Sequence, residues 1–380
     1  MVQRVALLTN FIPPYRLPLY KAIADRVENF QVFISTEMEP NRQWQPNWED
    51  LNVTVQNNIT LKRTWQHPHG FAEDLYVHIP YDTIWTLGQY QPDVVISGEL
   101  GLRSVQAAVY RKLTPQSKLI LWATISEYSE QGRGKFREKL RQMLVPQAEA
   151  ILVNGKSGGR YIHQFGISPQ QIFAAPYTTD ISPFLAVPLS RTEPNAYRLL
   201  YVGQLVERKG IAPFLSALAR WGGANPERRV EFWIVGEGPL RDTLEKMLMP
   251  SNVAVKFLGS VAYADLPEIY RQGGVFVFPT LADEWGVVVN EAMAAGLPVL
   301  GSLYSQAVEE LVVDGVTGWT FRPDRQDELL AALDRVFSTP PDSLERIRVK
   351  DREQIQYLTP EFVADRVLEA INYVSQKHRP

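Results

Sequence analysis

Several short runs of this chain are apolar on successive residues rather than on alternate ones. They include Val5-Ala-Leu-Leu-Thr9, Asp93-Val-Val-Ile-Ser97, Lys118-Leu-Ile-Leu-Trp122, Arg198-Leu-Leu-Tyr-Val202, Arg229 to Val235 and Val275-Phe-Val-Phe-Pro279. Side chains on a strand alternate between its two faces, so a run without alternation belongs to a strand covered on both sides. Such strands build the parallel sheets of α/β proteins. Stretches of helical character separate the runs, and the alternation completes itself twice. The pattern predicts an α/β chain of two facing Rossmann-like domains with a deep cleft between them. The first domain is expected over 1–178 and the second over 197–356, with Pro-rich, polar residues 179–196 as the linker.

At 380 residues the chain can bury two cores, and 45% hydrophobic with 21% charged residues is the balance of a globular protein. Its 39 basic and 42 acidic residues leave a net charge of -3, which argues against general nucleic-acid binding. With no cysteine there is no disulfide, no thiolate catalysis and no Cys-ligated metal. The apolar start at Val5 is too short for a signal peptide and no run reaches the ~20 residues that span a bilayer. The expected location is the cytoplasm, with a peripheral place at the inner face of a membrane left open.

Asp283-Glu-Trp-Gly-Val-Val-Val-Asn-Glu291-Ala-Met-Ala-Ala-Gly296 follows the run ending at Pro279. Valines favour strand, but the good helix formers after them and the Gly296-Leu-Pro298 stop predict a helix. A loop from a parallel strand into a helix aims free N–H groups and the positive end of the helix dipole at the crevice above the sheet, a setting suited to a diphosphate. Gly286 permits close backbone approach, and the amides from Gly286 and Val287 onward face the anion. Glu291 would then accept ribose hydroxyls, with Asp283 and Glu284 nearer whatever lies beyond the phosphates. The same acids are equally at home as ordinary surface residues at a helix start.

This stretch resembles the signature of the retaining glycosyltransferases of family 4, which have the GT-B fold. There a Glu, seven residues and a second Glu share this loop and helix, and an aromatic-Gly pair follows the first acid. Trp285-Gly286 sets the register, so the second Glu is Glu291 and the first is Asp283, with Glu284 beside it. A second signature of the family, Gly-Arg-Leu and then Lys-Gly, is similar to Gly203-Gln204-Leu-Val-Glu-Arg208-Lys209-Gly210. Lys209 matches the lysine that holds the nucleotide diphosphate, Gln204 stands in place of the arginine, and Arg208 is positioned to compensate. Gly236-Glu237-Gly-Pro239 matches the family's nucleotide-facing turn. The resemblance covers Leu199 to Phe321. It implies transfer of a sugar from a nucleotide diphosphate donor of UDP or GDP type to an acceptor hydroxyl, with retention. It also implies a C-terminal helix over 357–380 that returns to the first domain.

The first half carries little of this resemblance, as expected of a domain facing a variable acceptor. Tyr15 and Arg16 after the first run, Glu99 after Ser97 and Glu127 after Trp122 stand at carboxyl ends of strands and are the acceptor-side candidates; each is also open to a plain structural reading. Residues 39–69 show no clear periodicity and are expected to be a variable excursion over the acceptor side. His67-Pro-His69 has no fixed third ligand, and no Asp-x-Asp pair ends a strand, so no metal and no cofactor are expected. Arg133 to Arg141 reads as a basic amphipathic helix, able to touch anionic lipid or simply solvated. Two alternatives remain for function: another nucleotide-sugar enzyme of the same fold, an epimerase or an inverting transferase, and a non-catalytic binder of nucleotide sugars. A dehydrogenase is disfavoured, since neither domain start carries Gly-x-Gly-x-x-Gly.

Overall fold

A computed structural model describes residues 4–39, 46–191 and 195–376. The chain divides into two compact units, residues 1–180 with 358–380, and residues 181–357. Both are Rossmann-like.

In the first unit the strands are β1 (Arg4–Thr9), β2 (Asn29–Ile34), β3 (Val53–Val55), β4 (Asn58–Gln66), β5 (Ala72–Pro80), β6 (Val94–Gly98), β7 (Lys118–Ala123), β8 (Ala150–Val153) and β9 (Ile172–Ala174). Seven of them form one parallel sheet in the order β3-β2-β1-β6-β7-β8-β9. The helices α1 (Leu17–Ala24), α2 (Thr83–Tyr90), α3 (Leu102–Leu113), α4 (Lys135–Leu144) and α5 (Lys156–His163) connect them. Every residue of β7 and β8 is buried, which is why their sequences show no alternation.

β4 and β5 pair antiparallel as a separate two-stranded ribbon, with Leu61 opposite Val77 and Trp65 opposite Glu73. The expected excursion over 39–69 thus contains β3 and the first arm of a hairpin, whose second arm lies beyond it; residues 40–45 of that stretch lie outside the described residues. Most of β4 is exposed, so no burial pattern marked it in the sequence. Its tip is clamped to the loop after β7. Trp65 Nε1 donates to the Gln131 carbonyl at 3.1 Å, the Arg133 guanidinium lies 3.4 Å from the Trp65 ring centre, and His67 Nε2 pairs with the Tyr128 carbonyl at 2.8 Å. His67 also stacks on Phe71 and His69, so both histidines are packed as rings.

The second unit has β10 (Leu199–Val202), β11 (Val230–Val235), β12 (Val253–Gly259), β13 (Val275–Phe278), β14 (Val299–Ser302) and β15 (Gly318–Phe321) in the parallel order β12-β11-β10-β13-β14-β15. Its helices are α6 (Ser182–Leu185), α7 (Ile211–Ala224), α8 (Arg241–Glu245), α9 (Leu266–Gln272), α10 (Val287–Ala294), α11 (Gln306–Leu311), α12 (Gln326–Ser338) and α13 (Pro341–Ile355). Part of the stretch read as a linker belongs to this unit. Phe184 is fully buried with its ring against Tyr270, and Arg191 donates to the carbonyls of Gly273 at 3.0 Å and Ala295 at 3.1 Å.

The last helix, α14 (Pro360–Gln376), packs on α1 and on β7, β8 and β9 of the first unit. Val363, Val367, Ile371 and Val374 face inward, and Arg26 pairs with Asp365 at 3.2 Å.

Candidate active site

The strand order of the second sheet fixes where a ligand can lie. From β10 the chain runs outward through β11 and β12, then returns to place β13 on the other side of β10. At such a reversal the loops leaving two neighbouring strands part company and open a crevice at their carboxyl ends. The loop after β10 carries Gly203 to Gly210, and the loop after β13 carries Pro279 to Gly286.

These two loops are bonded to each other. The Leu281 N–H donates to the Arg208 carbonyl at 2.8 Å, and the Thr280 hydroxyl reaches the same oxygen at 3.1 Å. Gly210 has φ +68, and a Cβ there would sit 2.1 Å from the Pro279 carbonyl oxygen, so only glycine lets the loops close. Across the other side, the Leu205 N–H donates to the Glu237 carbonyl at 2.9 Å, and a Cβ on Gly236 would lie 1.9 Å from the Gly203 carbonyl oxygen. Three strand ends are thereby held in one rigid floor.

Into this floor the sequence delivers one carboxylate and two cations. Asp283 Oδ2 accepts from the Lys209 ammonium, and Arg208 Nη1 stands 3.3 Å from the same oxygen while donating to the Ala282 carbonyl at 3.1 Å. Burial pushes the Asp283 carboxyl up, but the charges of Lys209 and Arg208 more than offset it and hold the group below its ordinary value. Arg208 thus turns into the site, whereas the Gln204 side chain is exposed and only its backbone is fixed, its carbonyl accepting from the Tyr201 hydroxyl at 2.8 Å. Asp283 thus meets both cations. Glu284 is half-buried and fixed through its carbonyl, which accepts from Gln306 Nε2 at 2.7 Å. Glu237 pairs with Arg241.

The helix that follows starts where expected. Gly286, at φ 106, precedes α10, and Trp285 is buried beneath it with Nε1 donating to Asn290 Oδ1 at 3.0 Å. A Cβ on Gly286 would strike the Phe278 ring at 2.6 Å, and the Lys209 ammonium lies 5.3 Å from the centre of that ring. Phe278, the last residue of β13, therefore has the cation and the glycine turn against it. The first-turn amides of Val287 and Val288 make no hydrogen bond among the described residues.

Glu291 lies deeper than a solvent-facing acid. It is 4% exposed, and one carboxylate oxygen accepts from the Tyr270 hydroxyl at 3.0 Å. Burial pushes its carboxyl up to about 7, partly opposed by hydrogen bonds from Tyr270 and Tyr263.

Sequence reasoning missed Phe278, Tyr270 and Ser305. Ser305 donates to the Trp285 carbonyl and caps α11 by accepting from the Val308 N–H at 3.4 Å. A serine ahead of Gln306-Ala-Val-Glu-Glu-Leu311 is a helix-start signal that marks the cap, while only the fold brings Tyr270 to Glu291.

In the first unit the four acceptor-side candidates all sit at carboxyl ends of strands. Arg16 is 5% exposed, its guanidinium 3.7 Å from the Tyr177 ring centre and 5.0 Å from that of Trp122, and Tyr15 also packs near Tyr177. Glu127 is engaged by Arg160 at 2.6 Å and by the Ser157 hydroxyl at 3.2 Å. Glu99 is exposed, sits at φ 66 and accepts from the Asn10 amide. A non-glycine residue held at positive φ is a strained feature that clusters at functional sites.

Residues 196–339 match the family described as glycosyl transferases group 1. The match covers somewhat over a third of the chain. Its matched stretch is 34% identical over 161 residues to a phosphatidyl-myo-inositol mannosyltransferase of Mycolicibacterium smegmatis, covering 42% of this chain and 41% of that protein. It is 29% identical over 151 residues to a sulfoquinovosyl transferase of Arabidopsis thaliana, covering 39% of this chain and 28% of that one. The match thus spans less than half the length of these relatives. Among solved structures, Anabaena HepE in complex with UDP superposes with a TM-score of 0.69 at 17% identity, covering 97% of this chain and 100% of that one, which shows that the two share a fold.

Proposed function

We propose that the chain transfers a glycosyl group from a nucleoside diphosphate sugar to an acceptor hydroxyl, retaining the anomeric configuration. The observation that carries the reading is the meeting of Lys209, Arg208 and Asp283 at the strand reversal, beside the N-terminus of α10. The Mycolicibacterium mannosyltransferase and the UDP-bound Anabaena structure support a nucleotide-linked donor.

In this reading the diphosphate lies over the first turn of α10 and takes Lys209 and Arg208 as counter-charges, with the turns at Gly203 and Gly236 close to the nucleotide. As the bond from the anomeric carbon to phosphate lengthens, negative charge grows on the departing diphosphate, where fixed cations and amides stabilise it. The acceptor oxygen bonds to the anomeric carbon, and its proton ends on the diphosphate. Asp283 orients the sugar hydroxyls beside a centre turning cationic. Ribose hydroxyls displace the half-exposed Tyr263 from Glu291. The positive charge assigned to a divalent ion in other transferases is assigned here to Lys209 and Arg208, so activity should survive chelation by EDTA. Tyr15, Arg16, Glu99 and Glu127 are proposed as the acceptor-side group of the first unit, with Glu99 the exposed carboxylate among them.

A donor-turnover assay tests this. Release of nucleoside diphosphate and an NMR assignment of the product's anomeric carbon are expected from the wild type, with retention. Binding of nucleotide without any turnover would overturn the enzymatic reading in favour of a binding protein, and inversion would overturn the mechanism.

A further inference from the structure

The helices α2, α3 and α4 form one layer on one side of the first sheet, since Leu87, Ala107, Ala108 and Leu144 all enter the same core. The outer face of this layer is unusually apolar. On α4, Phe136 is 82% exposed and Met143 59%, although Arg141 and Leu144 on the opposite side are buried. Seven residues is about two helical turns, so Phe136 and Met143 share one face of α4, roughly 10 Å apart along it. On α3 the outward stripe runs Leu102, Val109 and Leu113, the last 69% exposed, and on α2 Trp85 is 66% exposed.

Cations are set among these side chains. α4 contains Lys135, Arg137, Lys139 and Arg141 against the single acid Glu138. Arg141 and, at 3.8 Å, Arg137 are turned to the buried Glu130, but Lys135 and Lys139 make no ion pair among the described residues, nor does Lys112 on α3. The chain as a whole has a net charge of -3, so this positive face is a local feature rather than a background.

We infer that the outer face of the α2–α3–α4 layer docks on an anionic lipid bilayer, with Phe136 and Met143 entering the interface and Lys135 and Lys139 meeting the head groups. A soluble polyanion would satisfy the lysines and leave Phe136 and Met143 in water. A bilayer interface takes both, because the aliphatic stems of the lysines lie along apolar surface while their ammonium groups stay at head-group depth. No helix among the described residues is long and apolar enough to cross a membrane, so the contact is one of surface docking. The inference stands apart from the proposed glycosyl transfer, since none of these residues belongs to the site of the second unit.

The test is co-sedimentation of the full chain with vesicles of phosphatidylcholine alone and of phosphatidylcholine mixed with phosphatidylglycerol. Binding is expected to the mixed vesicles and to weaken with added salt. Each charge removed in Lys135→Gln and Lys139→Gln should weaken it about fivefold. Phe136→Ser with Met143→Ser should weaken it about tenfold or more. All four positions are exposed, so thermal unfolding midpoints should match the wild type and confirm that folding is intact. Absence of sedimentation with mixed vesicles, or equal binding by the Phe136→Ser, Met143→Ser variant, would overturn the proposal. Capture on heparin with no vesicle binding would reassign the lysines to a soluble polyanion and overturn it equally.

Discussion

The Asp283 carboxylate pairs with both Lys209 and Arg208 before any ligand arrives, leaving the three groups with one net positive charge. A diphosphate therefore competes with Asp283 for the same two cations. Asp283→Asn removes the competitor, and the expected outcome, read by calorimetry, is tighter binding of a nucleoside diphosphate by a few-fold together with lost turnover. Lys209→Ala should instead weaken binding and lower turnover by about 100-fold or more, the usual loss when one stabiliser of a developing anion is removed. Glu291 supplies a pH dependence. Its carboxyl is raised from 4.5 to about 7, so the folded state favours the protonated form. The associated stability is fully present below the ordinary value and is lost as pH rises through the raised one. Chemical denaturation at pH 5 and pH 8 should show the wild type losing on the order of a few kcal/mol relative to Glu291→Gln, whose amide keeps the Tyr270 contact; parallel profiles for the two proteins would refute it. At this scale the sequence named Lys209, Arg208, Asp283 and Glu291 but could not show that the Asp283 carboxylate meets the lysine. That meeting depends on the pitch of a loop held by Tyr304 and Ser305, about twenty residues further on.

At the scale of elements, glycines in the site loops are fixed by contact rather than by flexibility. Gly286→Ala would put a methyl group against the Phe278 ring at a backbone angle that alanine resists, and should destabilise the chain by about 2 kcal/mol or more. Gly223→Ala is the control. It lies exposed in α7, where an added methyl group would meet nothing within 4 Å, and should be neutral or stabilise by roughly 0.5–1 kcal/mol. Urea unfolding of both variants checks the pair. The parallel strands were legible because burial on both faces leaves unbroken apolar runs. The β4–β5 hairpin was not, because Ile59, Leu61 and Val77 are spaced along strands with much of their surface in water, and its anchor is a hydrogen bond to the Gln131 carbonyl and the Arg133 guanidinium over the Trp65 ring, both far along the chain.

For the whole molecule, the division into units does not follow chain order. α14 contributes Val363, Val367, Ile371 and Val374 to the first unit. Deleting residues 358–380 should therefore abolish the melting transition of the first unit and leave that of the second, still shifted upward by a nucleoside diphosphate; scanning calorimetry with and without nucleotide checks this, and loss of both transitions would contradict it. The doubled strand-helix alternation was readable at this scale, whereas the boundary between the units after Asp180 was not, because Phe184 owes its burial to Tyr270, far along the chain. The placement of α14 has a further consequence for how the polypeptide is made. On the ribosome, residues 181–357 emerge entire and can fold at once, while the half translated first waits, its α1 flank uncovered, for the final turns of helix to arrive. Within this chain the unit begun first is sealed after the second has been made, and chaperone occupancy should concentrate on it until α14 arrives.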